Sequence, residues 1–183
     1  MRLLLHACCG VCAAHVVGQL KNEGHKVLVY FVNPNIWPAG EYQKREQAMK
    51  KVAAYHQVAF LSQAYNHKSW CRAVAGLEKE PEGGQRCLVC YRIRLEQTAK
   101  KAGELSYDFF ATTLSVSPHK KAAAINEAGE CLAKKYEVAF WAADFKKQGG
   151  FQKACQLATK LDLYRQNYCG CIFSEEERNL KHR

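Results

Sequence analysis

Seven of the ten cysteines in this chain fall into three short clusters. The clusters read Cys8-Cys9-Gly-Val-Cys12, Cys87-Leu-Val-Cys90 and Cys169-Gly-Cys171. One lies near each end of the chain and one in the middle, so local structure cannot bring them together. Cysteines at such short spacings bind soft metals or iron–sulfur clusters, or carry out thiol–disulfide exchange. If the clusters meet, the tertiary structure is built around a thiol-rich site.

The length and composition fit one globular domain. The chain has 183 residues, of which 48% are hydrophobic and 24% charged. The apolar run before His6 is too short for a signal-peptide core, and the apolar stretch 27–32 is too short to span a bilayer. We therefore expect a cytoplasmic protein with no membrane partner. Thiols stay reduced in that compartment, which favours metal binding or catalysis over structural disulfides.

The charge balance indicates a class of partner. The chain has 27 Lys and Arg against 17 Asp and Glu, a formal net charge of +10. This excess suits a polyanionic partner such as a nucleic acid. A basic protein without such a partner is an equal alternative at this point, because charge alone identifies nothing.

Short apolar runs alternate with amphipathic stretches along the chain. The pattern predicts strands at 3–5, 27–32, 58–61, 107–112 and 138–141, and helices at about 12–22, 41–56 and 87–102. Residues 80–86 are predicted to form a loop. Strands that alternate with helices form a parallel sheet covered on both faces. We predict a single Rossmann-like α/β domain over residues 1–183, with a C-terminal Cys-Gly-Cys segment.

This architecture gives the cysteines a place to meet. Ligands of open parallel sheets bind beyond the carboxyl ends of the strands. Cys8 and Cys9 follow the first predicted strand, and Gly10 eases the turn that they need to share a site. Cys87 and Cys90 are three residues apart at a helix start, so they lie on one face.

The cysteine pattern favours an iron–sulfur cluster over structural zinc. The seven histidines form no pair at zinc-ligand spacing, and we expect His15 and His56 on helix surfaces. Four thiolates from two separate loops suit a cubane cluster, and surplus thiols beside it imply chemistry. We expect the isolated Cys71, Cys131 and Cys155 to be buried packing residues.

The residues around the clusters form a further set of motifs. They are Leu5-His-Ala-Cys-Cys-Gly-Val-Cys12, Phe31-Val-Asn-Pro-Asn-Ile36, Glu41-Tyr-x-x-Arg45, Arg86-Cys-x-x-Cys-Tyr-x-x-Arg-Leu95, Thr112-Thr-Leu-x-Val-Ser-Pro118, Asp144-Phe-Lys-Lys147 and Leu163-Tyr-Arg-Gln-Asn-Tyr-Cys-Gly-Cys-Ile-Phe-Ser174. Over nearly the whole chain, this combination resembles the cobalamin-independent epoxyqueuosine reductases. The first loop of that family usually reads Cys-Cys-x-Pro followed by Cys or Asp. Val11 replaces the proline here and leaves every thiol in place.

The resemblance implies a reaction, a fold and a cofactor. The reaction is reduction of the epoxide of epoxyqueuosine, at the wobble position of tRNA, to queuosine. The fold it implies resembles the adenine-nucleotide alpha-hydrolase-like (PP-loop-type) fold. Removal of one oxygen needs two electrons and protons, so a redox cofactor and an external electron donor are required. No cobalamin is expected.

The resemblance also implies roles for the cysteines. Cys8, Cys9, Cys87 and Cys90 would bind a 4Fe–4S cluster. Cys12 would face that centre as a catalytic residue or bind an additional metal ion, such as a second iron. Cys169 and Cys171 would form a redox-active pair, since a disulfide across one residue closes a strained ring that is easily reduced. A rival assignment makes this pair metal ligands.

Candidate substrate-binding residues lie around these motifs. Amides could bind the modified base, tyrosines could stack on an unstacked anticodon base, and basic side chains could meet phosphates. The candidates are Asn33, Asn35, Tyr42, Arg45, Tyr91, Arg92, Arg94, Lys120, Lys146, Lys147 and Arg165. Glu41, Asp144 and Tyr168 are alternative proton donors to the epoxide.

Two other functional classes stay open. A tRNA-thiolating ATP pyrophosphatase shares this type of fold, but its Ser-Gly-Gly-x-Asp-Ser phosphate loop has no counterpart at residues 6–12. A non-enzymatic zinc module that binds RNA through basic surface is the second alternative. Optical spectroscopy and metal analysis separate it from an iron–sulfur enzyme.

Overall fold

A single five-stranded parallel sheet organises the fold. The computed structural model describes residues 1–181. The strands are β1 (Arg2–His6), β2 (Lys26–Phe31), β3 (Ala59–Ser62), β4 (Phe109–Thr112) and β5 (Ala139–Phe140). Their order across the sheet is β3-β2-β1-β4-β5. β1 is central, with Leu4 opposite Leu28 of β2 and Phe110 of β4.

Seven α-helices of the described residues accompany the sheet. They are α1 (Gly10–Asn22), α2 (Ala39–His56), α3 (His67–Ala73), α4 (Gln85–Glu104), α5 (Ala122–Tyr136), α6 (Gly150–Lys160) and α7 (Ile172–Lys181). Short 3₁₀ helices occupy Thr113–Val116 and Lys147–Gly149. None of these helices is both long enough and apolar enough to cross a membrane.

The strands are apolar on both faces because each face is covered by helices. Leu3 and Leu5 of β1 enter a core shared with α1, α2 and α6. Leu4, which points to the opposite face, enters a second core shared with α4 and α5. Near-continuous apolar runs are typical of parallel strands buried on both sides. The predicted Rossmann-like α/β class is therefore confirmed.

The start of α1 and the length of β5 are among the element boundaries that differ from the sequence prediction. Helix α1 begins at Gly10 rather than Cys12, because Cys9 has extended backbone and caps the helix. Gly10 was expected to ease a turn, but it is helical, and its small size matters for packing instead. A Cβ there would lie 2.9 Å from Cβ of Ala48 in α2. Strand β5 has two residues instead of the four predicted, and it pairs only with β4 at the sheet edge.

The chain topology selects one point on the carboxyl edge of the sheet. From β1 the chain proceeds outward to β2 and β3, then crosses back to β4 and β5 on the other side. The gap between β1 and β4 is therefore the switch point at which open α/β sheets bind ligands. Cys8 follows β1 and Thr113 follows β4, so both lie at this gap. The single-domain interpretation of residues 1–183 stays a prediction.

Candidate metal centre

Three thiols converge directly after β1. The Sγ atoms of Cys8, Cys9 and Cys12 all lie within 4.8 Å of one another. We call these three residues the thiol triad. Cys9 is the N-cap of α1, and its Sγ accepts a hydrogen bond from the Cys12 N–H at 3.4 Å. Cap geometry thus places one thiol before the helix and another in its first turn. Hydrogen bonding with Cys12 and with Cys9 lowers the pKa of Cys8, and hydrogen bonding with Cys8 raises the pKa of Cys12.

Polar side chains from the neighbouring strand ends fix the loop of the triad. The Thr113 hydroxyl lies 3.3 Å from the Cys8 backbone nitrogen and 3.6 Å from its Sγ. His6 is fully buried, with Nδ1 2.8 Å from Thr112 Oγ1 and Nε2 3.3 Å from Asn33 Oδ1. Burial lowers the pKa of His6 to about 4. Its neutral ring therefore links the carboxyl ends of β1, β4 and β2.

Two further thiols lie near the start of α4. Cys87 is in the first turn, and its Sγ accepts a hydrogen bond from the Gly83 N–H at 3.2 Å. Burial raises the pKa of Cys87 and raises that of Cys90 to about 11. The charges of Cys169 and Cys171 raise both values further. Cys90 also packs in one apolar cluster with Cys171.

The Cys-Gly-Cys segment is fastened to α2 by a buried arginine. The Arg45 guanidinium donates to the carbonyls of Cys169 at 2.8 Å and Tyr168 at 3.2 Å, and to Glu41 at 2.6 Å. Gly170 has φ 125°, and a Cβ there would lie 2.7 Å from an Arg45 nitrogen. Only glycine suits both the backbone and the space. All ten cysteines are free thiols, so the predicted disulfide of the redox pair stays a prediction.

We call the other four thiols, Cys87, Cys90, Cys169 and Cys171, the thiol quartet. Two cations, Arg94 and Lys120, interact electrostatically with thiols of both the triad and the quartet. Arg94 is buried and Lys120 is half-buried. Burial lowers the pKa of each cation, but thiolates of both groups, among them Cys169 and Cys8, raise it above its ordinary value. The triad and the quartet therefore share one electrostatic environment, whose positive side chains favour thiolates.

Several predicted substrate-binding residues already have partners within the protein. Tyr42 is buried, lies 5.0 Å from the Phe31 ring and donates its hydroxyl to the Gln63 carbonyl at 2.8 Å. Its ring therefore packs in the core, which corrects the predicted stacking role. Arg45 positions the Cys-Gly-Cys segment rather than a phosphate.

The remaining candidates divide between interior and surface. Asn33 Nδ2 donates to the Ala7 carbonyl at 2.9 Å, so this side chain supports the loop of the triad. Asn35 is buried with no hydrogen-bond partner for its Oδ1. Tyr91 is buried beside Arg94 and its ring is not available for stacking. Exposed basic candidates that face solvent are Arg92, Lys147 and Arg165.

Each of the three candidate proton donors has a partner within the protein. Glu41 uses both carboxylate oxygens, one for Arg45 and the other for the Tyr164 hydroxyl at 2.6 Å. The Tyr168 hydroxyl donates to the Trp37 carbonyl at 2.5 Å. Asp144 pairs with Lys146 at 3.0 Å. Glu41 thus has a structural role, because both its oxygens accept hydrogen bonds in the interior.

The isolated cysteines are more exposed than the sequence predicted. Cys71 and Cys131 are exposed and Cys155 is half-buried, so the prediction of buried packing residues was wrong for the first two. Both lie on helix faces turned to solvent. Cys71 Sγ lies 3.2 Å from His67 Nε2. His15 and His56 are both half-buried.

Sequence reasoning missed His6 and underrated Thr113 and Arg94. Their signal was positional: His6 ends β1, and Thr113 directly follows β4 at the switch point. A polar residue at the carboxyl end of a parallel strand is a candidate for the site even without a motif.

Comparison with known proteins identifies the family. The family model described as Epoxyqueuosine reductase QueH matches residues 3–177. The chain belongs to this family. A relative named Epoxyqueuosine reductase QueH from Streptococcus pyogenes serotype M1 is 37% identical and covers 97% of this chain and 72% of the relative. Relatives of the same name from Thermotoga maritima (36% identity, 98% of this chain, 93% of the relative) and Dehalococcoides mccartyi (37%, 97%, 94%) are similar over their length. Because a reductase is an oxidoreductase, this chain belongs to a family of oxidoreductases.

Solved structures support the fold of this QueH family member. The U34-tRNA thiolase NcsA from Methanococcus maripaludis, solved with its 4Fe–4S cluster, superposes with a TM-score of 0.62 at 13% identity, covering 100% of this chain and 65% of NcsA. A predicted subunit of tRNA methyltransferase from Methanocaldococcus jannaschii gives a TM-score of 0.59 at 12% identity, covering 85% and 76%. The predicted likeness to the PP-loop-type fold is thereby confirmed, and at such identities the likeness concerns the fold alone.

Proposed function

We propose that this protein reduces the epoxide of epoxyqueuosine in tRNA to queuosine. The observation that carries the proposal is the family match over residues 3–177, combined with the thiol triad after β1 and the buried cluster that contains Cys90 and Cys171. Family membership favours this reaction over the thiolating enzyme and the zinc module. The predicted cytoplasmic location stays a prediction.

The donor set fits a metal or iron–sulfur cofactor. Thiolates bind soft metals and clusters, and the triad already brings three of them together. A 4Fe–4S cluster, when bound, would supply electrons one at a time from an external donor. The reaction consumes two electrons and two protons, and the epoxide oxygen leaves as water.

Two ligand assignments are compatible with the donor set. The predicted one uses Cys8, Cys9, Cys87 and Cys90. In the rival one, the quartet holds the cluster and the triad holds a single metal ion. Three thiolates around one tetrahedral ion lie about 3.8 Å apart, because each metal–sulfur bond is about 2.3 Å. Ligands of a cubane bind separate irons and stand farther apart, so the compact triad supports the rival assignment.

The residues around the thiols would suit the site to a tRNA substrate, which is anionic and loses an oxygen atom in the reaction. Arg94 and Lys120 supply positive charge that stabilises thiolate ligands and negative charge formed at the epoxide oxygen. Thr113 and His6 hold the triad loop in register with the strand ends. Arg45 holds the Cys-Gly-Cys segment against α2.

Anaerobic purification followed by metal analysis and turnover tests the proposal. We expect brown protein with about four irons per chain, or five if the triad also holds iron, and conversion of epoxyqueuosine in tRNA to queuosine with a chemical reductant. Stoichiometric zinc with less than one iron and no conversion would contradict the proposed function.

Serine variants separate the two ligand assignments. If the quartet binds the cluster, Cys171→Ser loses cluster iron and its charge-transfer absorbance, whereas Cys12→Ser loses at most a single metal ion. If the predicted set is correct, Cys171→Ser keeps the cluster and loses only multiple turnover. Cys131→Ser, at an exposed position on α5, is the matched control and should keep both iron and activity.

A further inference from the structure

An exposed tryptophan stands next to the Cys-Gly-Cys segment. Trp37 exposes 40% of its surface. Its backbone N–H donates to the Gly170 carbonyl at 2.8 Å, and its carbonyl accepts from the Tyr168 hydroxyl at 2.5 Å. Both backbone polar atoms are thus bound to the segment that carries two thiols of the site. The position of this residue is therefore tied to the thiol quartet.

The inner face of Trp37 is already stacked. Its ring centroid lies 5.0 Å from that of His67, with the planes 30° apart. His67 is held in turn by its Nδ1, 2.9 Å from the Pro34 carbonyl, and it stacks on the buried Trp70 at 5.6 Å and 23°. Three rings therefore form a column that begins in the core and ends at the surface with an exposed indole.

The helix that supplies His67 and Trp70 of this column is basic. Helix α3 exposes Lys68 and Arg72 and contains no Asp or Glu. Together with Asn66 and Cys71, these two side chains line an open depression of the surface. A fixed aromatic face next to cations matches unpaired nucleic acid, whose bases stack on aromatic rings while its phosphates meet Lys and Arg.

We propose that the outer face of Trp37 stacks on a nucleobase of the anticodon loop adjacent to the reacting nucleotide, with Lys68 and Arg72 receiving the neighbouring phosphates. This inference rests on the proposed function. It replaces the stacking role predicted for Tyr42 and Tyr91, whose rings are buried. The platform holds the loop in register while the modified base enters the thiol site.

Binding of a synthetic anticodon stem-loop RNA to site variants tests the platform. Stacking of one base contributes about 1 to 3 kcal/mol, so Trp37→Ala should weaken binding about 5- to 150-fold. Trp37→Phe keeps an aromatic face and should bind nearly as the wild type does. Tyr55→Ala, which removes an exposed aromatic ring of α2, is the matched control and should not change affinity. Iron content and circular dichroism of each variant establish that it is folded.

RNAs with an abasic site at each loop position provide a readout that a structural role of Trp37 would not change. At one position beside the reacting nucleotide, base removal should weaken binding to the wild type but not to Trp37→Ala. RNA binding should also quench the fluorescence of Trp37, which is measured as the signal of the wild type minus that of Trp37→Phe. Equal affinity of Trp37→Ala and wild type, or no coupled loop position, overturns the platform. Failure of the wild type to bind any tRNA contradicts the proposed function instead.

Discussion

At the scale of single residues, Arg45 forms a buried ion pair with Glu41, whereas the sequence predicted that it binds phosphate. The side chains of Arg45 and Glu41 are 2% and 8% exposed and lie 2.6 Å apart, one turn apart on α2. The other N–H groups of Arg45 donate hydrogen bonds to the carbonyls of Cys169 and Tyr168. This contact joins the helix to a loop more than 120 residues later in the chain, so its loss should disturb the site as well as stability.

Arg45→Ala should lower the free energy of unfolding by about 3 to 5 kcal/mol, because it leaves the buried Glu41 carboxylate without its cation. Lys50→Ala is a matched control on the same helix. Lys50 forms an i,i+4 pair with Glu46 at 3.2 Å, but its side chain is 47% exposed. That change should cost less than about 1 kcal/mol. Urea unfolding of both apoproteins measures the difference, and equal effects would show that Arg45 carries no special structural load.

At the scale of elements, the start of α1 combines a helix cap with a candidate metal ligand. The Cys9 thiol accepts the hydrogen bond that Ser or Asp commonly accepts at an N-cap. The same sulfur belongs to the triad. The two roles can be separated because a hydroxyl replaces a thiol as a cap but is a poor ligand for soft metals.

Cys9→Ser should keep the stability of the metal-free protein and lower its metal content. Cys9→Ala should lose both, with a stability cost of about 0.5 to 2 kcal/mol from the missing cap. Thermal unfolding of the apoproteins and metal analysis after reconstitution measure the two effects. Normal metal loading of Cys9→Ser would remove Cys9 from the ligand set.

At the scale of the whole molecule, the parallel sheet converts distance along the chain into proximity. Cys8 follows the central strand β1, and the C-terminal Cys169 and Gly170 accept hydrogen bonds from Arg45 and Trp37, which follow the neighbouring strand β2. The formal net charge of +10 belongs to the same scale, because it acts on a polyanion before any specific contact forms.

Affinity for tRNA should fall steeply with salt, because each phosphate neutralised by Lys or Arg releases counterions. The slope of log affinity against log salt should be about −0.7 to −0.9 per phosphate contacted. A titration between about 50 and 200 mM salt measures it. Lys68→Ala combined with Arg72→Ala should make the slope shallower, by an amount that corresponds to the loss of about one to two phosphate contacts. A flat titration of the wild type would exclude docking through basic surface.

The sequence by itself determined the fold class and the chemistry of the site. Apolar runs of strand length between amphipathic helices predict a parallel sheet, because the two periodicities differ. The cysteine motifs indicate soft-metal or redox chemistry in any fold, because this chemistry is a property of the thiol. They are Cys-Cys, Cys-x-x-Cys and Cys-Gly-Cys. The family motifs could be recognised without a structure because each is a short run of neighbouring residues in the sequence.

The tertiary structure alone decided how these residues group and which are free to act. Periodicity indicates that a side chain faces inward but not which distant side chain it meets. The packing of Cys90 with Cys171, the use of Arg45 within the protein and the burial of Tyr42 therefore had no signal in the sequence. Trp37 belongs to none of the sequence motifs, and the fold places its ring at the end of a stack and its backbone beside Gly170. Such roles depend on contacts between residues far apart in the chain, and only the packed sheet and helices create them.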